Sequence, residues 1–417
     1  MAVGSGLGLP LLTAADVKHP CGPAVDPEKG QHAADVATGE EALALAEAAS
    51  KDEQRTMTIP EATFAMANFV LNFGMFSVPM AFARTGWAAI GIIVLVGGLC
   101  LVNGLLLGRV FERLQAAGIP RPTYSDASLV AAGPCFAALI TCTCYLEVAT
   151  YGWGNLVVLS RSLAQLAPGV DPACFVAGSS LLALMLSGIP DRAYAYVSLV
   201  SALSIIMACS TVIASGWVLP AWARAGQVFQ GVGALPLAFS LVIFGPAAHP
   251  CLSVVFHGTG SRSDFDAAVR NGWILWTVTA IGFGAGTYYI FGDAVQVLAL
   301  QNIGHDLDGR PLPGAECLGT FATAWMVLKS QGALVPNSRP FVHVLARVTG
   351  VKLGQGNGGA ACVLLSLPVI TILGVGAVLL EDHIGALEAA SGSLLMTTNA
   401  VVFPIVVYVL ICKPASA

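Results

Sequence analysis

Asn68-Phe-Val-Leu-Asn72-Phe-Gly74-Met-Phe-Ser77-Val-Pro79-Met-Ala-Phe-Ala-Arg84-Thr-Gly86-Trp87 is the stretch whose reading decides the fold. It lies in the first segment apolar enough to cross a bilayer, yet two Asn, a Gly, a Ser and a Pro interrupt its middle. In hydrocarbon an unpaired backbone group costs several kcal/mol, so a broken helix persists only where protein or a cavity receives its free N–H and C=O groups. Two readings fit. One is a Gly/Pro kink in a structural helix, since both residues are common in membrane spans. The other is a discontinuous helix whose half-helix ends form a midplane binding site, as secondary transporters build it.

Composition supplies the setting. The chain has 417 residues, 56% hydrophobic and only 10% charged, with a mean hydropathy of +0.77. Soluble domains run to roughly 25% charged residues, so the expectation is an all-α polytopic membrane protein. A crossing of roughly 30 Å of hydrocarbon takes about 20 residues. Ten such runs are expected, near 60–83, 87–111, 134–159, 173–190, 194–219, 235–256, 271–292, 318–337, 360–380 and 386–412. The fourth is the weakest, bracketed by Asp171-Pro172 and Pro190-Asp191. Residues 1–55 are polar and lack the basic segment and apolar run of a cleavable signal. They are expected to form a disordered cytoplasmic tail ahead of a transmembrane domain at 56–412 and a short cytoplasmic C-terminus at 413–417.

The sixth run is broken like the first. It reads Ile243-Phe-Gly245-Pro246-Ala-Ala-His249-Pro250-Cys-Leu. One Pro costs a helix interior about 3 kcal/mol, so two within five residues imply unwinding. Spans one and six are equivalent if ten helices divide into two five-helix halves. Paired interruptions at corresponding positions point to an inverted-repeat transporter, although no similarity between the halves is visible in the sequence itself.

The loops set the orientation. With a cytoplasmic amino terminus, that side collects Lys51, Arg55, Arg109, Arg113, Arg121, Arg192, Arg262, Arg270, Arg339, Arg347, Lys352 and Lys413. The opposite side holds only Arg84, Arg161, Arg224 and Arg310. The positive-inside rule therefore favours both termini in the cytoplasm. Most of the 11 cysteines lie in apolar runs and read as small hydrophobes. Cys142 and Cys144 lack zinc-ligand spacing. Cys174 and Cys317 fall on the same, non-cytoplasmic side, where a disulfide between them is an open alternative.

The chain at this point resembles the amino acid/auxin permease family, within the amino acid–polyamine–organocation superfamily, and in particular its vacuolar and vesicular branch. Asn68, Gly74, Pro79, Ala81, Gly86 and Trp87 match the spacing of that family's first helix. Tyr288-Tyr-Ile-Phe291-Gly292-Asp293 is similar to its Y-x-x-F-G-D, and Lys329-Ser-Gln-Gly-Ala-Leu-Val-Pro336 to its T-K-Y-A-L-x-x-x-P. Gly392-Ser393 and Pro404 also fit. The departures are Asn72 in place of a glycine, Met80 in place of a tyrosine, and Gly245-Pro246 in place of Gly-His, with His249 three residues on. The resemblance implies a leucine-transporter-like fold of two inverted five-helix repeats with discontinuous helices 1 and 6. It also implies a secondary active transporter of small neutral amino acids, working by alternating access.

A zwitterionic amino acid presents a carboxylate and an ammonium. The half-helix resuming near Ser77 would offer N–H groups and a positive dipole end to the first. The half-helix ending near Asn72 would offer carbonyls to the second, with Gly74 allowing close approach. Asn68, Asn72, Gly74 and Ser77 are thus candidate substrate contacts, with Phe244, Gly245 and His249 on the opposite wall and Tyr151 or Tyr145 as an aromatic cap on the carboxylate. For His249 and Tyr151 the plain alternative is packing against the kinked helix. Lys329, costly inside a span, either snorkels to an interface or acts in coupling. In sodium-coupled relatives helices one and eight hold a sodium ion between them, and the ammonium would replace it, which implies proton-coupled or cation-independent exchange rather than sodium symport. Glu147, the other charge taken to lie at membrane depth, would pair with a cation, relay protons or face a water-filled vestibule near the end of its helix. Glu381 and Asp382 read as ordinary loop residues.

Nothing resembles a nucleophile–base set or a phosphate loop; the Gly354–Gly359 glycines lack the strand that a phosphate loop needs. No enzyme activity, cofactor, metal or nucleic acid is therefore expected. The expected partners are an amino acid, the lipid bilayer and protons. Two alternatives stay open: a transporter-like amino acid sensor that does not transport, and a sodium-coupled symporter.

Overall fold

A computed structural model describes residues 57–119, 121–189, 191–218, 227–310, 312–313, 315–351 and 359–413. The 1–55 tail and the Gly354–Gly358 part of the loop cluster lie outside the described residues, as does the C-terminus beyond Lys413.

The apolar runs fold as helices because only a helix satisfies its own backbone in hydrocarbon. Helix α1 (Ile59–Val70) starts on a Thr58 capping box and stops at Leu71. Asn72 is extended, a 3-10 turn covers Phe73–Ser77, and α2 (Val78–Thr85) resumes with Pro79 in its first turn. There Pro lacks only an N–H that would be unpaired anyway. α3 (Ala89–Ala116) follows a sharp turn at Gly86, whose φ of 67° suits glycine. A Cβ there would lie 2.3 Å from the Gln227 carbonyl oxygen, so the turn also brings two backbones together.

α4 (Tyr124–Leu166) kinks at Ala132–Gly133, before Pro134, and so extends beyond the expected third run at both ends. α5 (Pro172–Leu186) is short, and α6 (Asp191–Ser215) is longer. The second break separates α7 (Leu235–Phe244) from α8 (Leu252–Gly258), with a 3-10 turn at His249–Cys251 between them. α9 (Arg262–Phe291), α10 (Glu316–Thr349) and α11 (Ala360–Leu380) complete the long helices. The last segment is α12 (Ile384–Ala390), a π-helix over Ser391–Val402, and α13 (Phe403–Cys412).

Six stretches among the described residues are long and apolar enough to cross a membrane: Phe73–Ala116, Tyr124–Leu166, Tyr196–Val218, Val232–Gly258, Arg262–Ala294 and Ala360–Cys412. Three of them, Phe73–Ala116, Tyr124–Leu166 and Ala360–Cys412, are too long for one straight crossing. The 53 residues of Ala360–Cys412 would reach about 80 Å as a straight helix at roughly 1.5 Å per residue. That stretch turns at Leu380, where a 3-10 turn over Glu381–His383 separates α11 from α12. Phe73–Ala116 turns likewise at Gly86.

Packing follows a regular scheme. α9 lies along α1, α2 and α3; α10 along α4 and α6; α11 along α4 and α5; α13 along α3. α1 also packs on α6, and α7 on the π-helix. The loops sort into two ends. At one, Trp87 and Ala88 donate backbone N–H groups to Gln227 and Val228, Gln230 reaches Asp293 at 3.2 Å, and Arg161 pairs with Glu381 and Asp382. Glu381 and Asp382, expected to be ordinary loop residues, thus anchor that end. At the other end, Met57 bonds Gly258, His257 bonds the Pro122 carbonyl, and Arg262 pairs with Glu112 and Asp266. No disulfide joins Cys174 to Cys317.

Candidate substrate site at the paired helix breaks

The two breaks face each other and are stitched by Asn72. Its Nδ2 donates to the Gly245 carbonyl at 2.8 Å and to the Phe69 carbonyl at 3.2 Å. Its Oδ1 accepts from the Gly74 N–H at 2.9 Å. One side chain therefore satisfies freed groups of both helices. A small polar residue in a break does this because Asn carries both a donor and an acceptor.

Gly74 is required by the opposite wall. A Cβ on it would sit 2.5 Å from the Phe244 ring. Phe244 packs edge-on against Phe73 at 5.3 Å and tilted against Tyr151 at 5.3 Å. Tyr151 places its hydroxyl 2.9 Å from the Phe244 carbonyl and 2.8 Å from that of Ala247, supplying a donor to the unwound end of α7. Asn72, Gly74, Phe244, Gly245 and Tyr151 thus converge, but their polar groups are spent on one another. The expected open approach of a ligand at Gly74 is taken up by the Phe244 ring, and Tyr151 caps helix carbonyls.

Asn68 and Lys329 form a second cluster. The Lys329 Nζ donates to the Asn68 carbonyl at 3.0 Å and to its Oδ1 at 2.7 Å, while the Asn68 Nδ2 donates to the Ser198 hydroxyl at 3.1 Å. Lys329 is wholly buried, so it does not snorkel. No carboxylate among the described residues lies within ion-pairing distance of it. Its charge sits at the C-terminal end of α1, where the helix dipole favours a cation.

His249 stands apart. It lies over Trp273, and its Nε2–H donates to the Cys100 carbonyl at 3.0 Å, leaving Nδ1 buried without a partner. It faces α3 and α9, away from Asn72. Among the described residues no cation lies within ion-pairing distance of Glu147: its Oε2 accepts from the Asn399 amide at 2.7 Å and its Oε1 is unpartnered. Asn399 lies in the π-helix, held also by Thr143, while its carbonyl accepts from Tyr124.

Ser77 donates to a carboxylate that the sequence reading missed: its hydroxyl bonds the Glu388 Oε2 at 2.5 Å. Glu388 lies inside the run assigned to the tenth span, so its charge alone was the signal. Asn399 was detectable the same way. Phe76, which precedes Ser77 in the chain, helps line a cavity of about 20 Å³ with Val158, Ser162, Gln165 and Gln301, room for about one water.

A family model for transmembrane amino acid transporter proteins matches residues 55–417. The chain belongs to that family. Amino acid transporter AVT1D of Arabidopsis thaliana is 23% identical over 246 residues, covering 55% of this chain and 43% of that protein. AVT1I of the same plant is 23% identical over 252 residues, covering 55% and 58%. The chain spans about half the length of the curated relatives it matches. Among solved structures, a mutant manganese transporter of Eremococcus coleocola superposes with a TM-score of 0.53 at 14% identity, over 84% of this chain and 77% of that one. A Na+-coupled sialic acid symporter, substrate-bound and outward-open, gives 0.52 at 14% identity over 83% and 79%. At such identities the likeness establishes a shared fold alone. The family is one of transporters, not of enzymes.

In this family member the sequence motifs meet in space. Trp87 of the first lies 5.5 Å from Tyr288 of the second, and Asn68 of the first holds Lys329 of the third. Gly392 abuts the Ser240 backbone of α7, where a Cβ would lie 2.1 Å from the carbonyl oxygen.

Proposed function

We propose that the chain is a secondary active transporter of small neutral amino acids, working by alternating access and driven by protons, with the substrate bound between the breaks at Asn72 and Gly245. The observation that carries this is the face-to-face pairing of two unwound segments, joined by one side chain. Half-helix ends at mid-span are costly, and their recurrence at opposed positions fits a site that opens to take a ligand's charged groups. The described state is then the closed one: a substrate carboxylate would displace the Asn72 Oδ1 from the Gly74 N–H, and its ammonium would take the carbonyls now bonded by Asn72 and Tyr151.

We read the architecture as ten spans in two inverted repeats. Support comes from the packing, in which several contacts have a counterpart. α1 meets α6 as α7 meets the π-helix; α9 meets α1 and α2 as α3 meets α7 and α8. α10 meets α6 as α4 meets the π-helix, and α4 meets α5 as α10 meets α11. Proton coupling rests on Lys329, whose ammonium occupies the α1–α10 junction in place of an inorganic cation, and on Glu147, buried without a counter-ion among the described residues. The loop charges support an orientation with both termini in the cytoplasm.

Proteoliposomes with labelled neutral amino acids test this. Uptake driven by an inward proton gradient, without sodium, is the expected result. Binding without uptake under any gradient would replace transport by sensing; a strict sodium requirement would replace proton coupling.

A further inference from the structure

Glu388 carries chemistry that the substrate site does not use. It is 0% exposed. Its Oε2 takes the Ser77 hydroxyl, and its Oε1 is buried without a partner. α12, which bears it, packs against α7, the π-helix, α4 and the Glu381–His383 turn. α7 and the π-helix contain no titratable residue. On α4 the charged groups are engaged elsewhere: Asp126 with Thr123, Glu147 with Asn399, and Arg161 with Glu381 and Asp382 of the turn, whose His383 is exposed. Tyr151, also on α4, bonds the α7 carbonyls. None of the described cations lies within ion-pairing distance of Glu388. An ionised carboxylate with one hydrogen bond and no counter-charge in a dry interior is expensive; a neutral acid is not.

Ser77 ends the unwound segment between α1 and α2, and its neighbour Phe76 lines the one-water cavity at the end of the bundle where Arg161 lies. We propose that Glu388 is a proton-binding carboxyl of the transport cycle, reached by water from that end and holding the unwound first helix through Ser77. The proton binds a carboxylate oxygen when the cavity widens, and the neutral acid is then sealed in as the end closes. When water returns, the proton leaves for it and the carboxylate is hydrated. The clamp on Ser77 thereby ties proton occupancy to the position of the α1–α2 break. This rests on the transport reading.

Two measurements on the full chain test it. pH-dependent infrared difference spectra of the purified protein should contain a carboxylic acid C=O band that is lost in Glu388→Gln and shifted in Ser77→Ala. The serine variant keeps the acid should the glutamine variant not fold. In proteoliposomes, Glu388→Gln should lose gradient-driven accumulation relative to its own substrate exchange, which needs no net proton movement. An infrared band unchanged in both variants, or a wild-type ratio of accumulation to exchange in Glu388→Gln, would overturn the proposal with transport intact. A wild-type chain that neither accumulates nor exchanges would overturn the transport reading; the infrared measurement still decides whether Glu388 binds a proton.

Discussion

Asn72 is the residue through which the two breaks hold together. Removing its amide leaves the Gly245 carbonyl and the Gly74 N–H buried without partners, at about 1–3 kcal/mol for each group. Asn72→Ala should therefore lower the thermal midpoint in detergent clearly, whereas a residue that only narrowed a pocket would change substrate range at constant stability. Tyr151→Phe strips the donor from the Phe244 and Ala247 carbonyls and should cost about 1–3 kcal/mol by the same measurement. Lys329→Met keeps the length of the side chain but leaves the Asn68 oxygens bare. It should destabilise by about 1.5–3 kcal/mol, the worth of charged hydrogen bonds, and abolish proton-linked uptake in vesicles. That these residues matter was legible in the sequence, because an Asn or Lys inside an apolar run must find a partner. Which partner was not legible. The bond from Asn72 to Gly245 joins positions 173 residues apart, and no local pattern encodes that distance.

Helices and their interruptions were the most legible level, since Gly, Pro and hydropathy act locally. Both breaks were anticipated from Gly74, Pro79, Gly245 and Pro246, and both occur. Pro79 opens α2, where its ring is tolerated, while Pro246 lies in the unwound stretch itself. The π-helix at Ser391–Val402 has no local signature in the sequence; it packs against α4 and α7. Glu388 escaped notice because it stands near the end of an apolar run, where a charge reads as a boundary. Gly392 shows what the motif glycines do. A Cβ there would strike the Ser240 backbone at 2.1 Å, whereas one at Gly98 on α3 meets nothing within 4 Å. Gly392→Ala should cost about 1–3 kcal/mol through overpacking, while Gly98→Ala should be neutral or stabilising by up to about 1 kcal/mol through helix propensity. Thermal melts of the two variants side by side test the contrast, and equal midpoints would remove close packing as the reason for Gly392.

At the scale of the whole molecule, alternation needs two ends that open in turn, and the loops do segregate that way. Arg161, Glu381 and Asp382 tie one end, together with the Trp87–Gln227 contact. Arg262, Glu112 and the Met57–Gly258 contact tie the other. The sequence distinguished these ends through charge alone, because basic loops are retained on the cytoplasmic side. Exposed Cys174 and Cys317 belong to the first end, while the exposed Ser263, at the start of α9, belongs to the second. In single-cysteine chains within sealed, oriented vesicles, an impermeant maleimide should react with Cys174 and Cys317 from one side only. Ser263→Cys should react only from the other, cytoplasmic, side. Labelling of all three from the same face would undo the two-ended arrangement, because α5, α9 and α10 could not then run between opposite ends. Reversed sidedness would keep the arrangement and invert the chain in its membrane. If the orientation holds, Glu388 takes its proton from the non-cytoplasmic side, since Arg161 and the cavity beside Phe76 lie at the same end as Cys174. Acidifying that compartment alone should then speed uptake into the cytoplasm, and acidifying the cytoplasm alone should slow it.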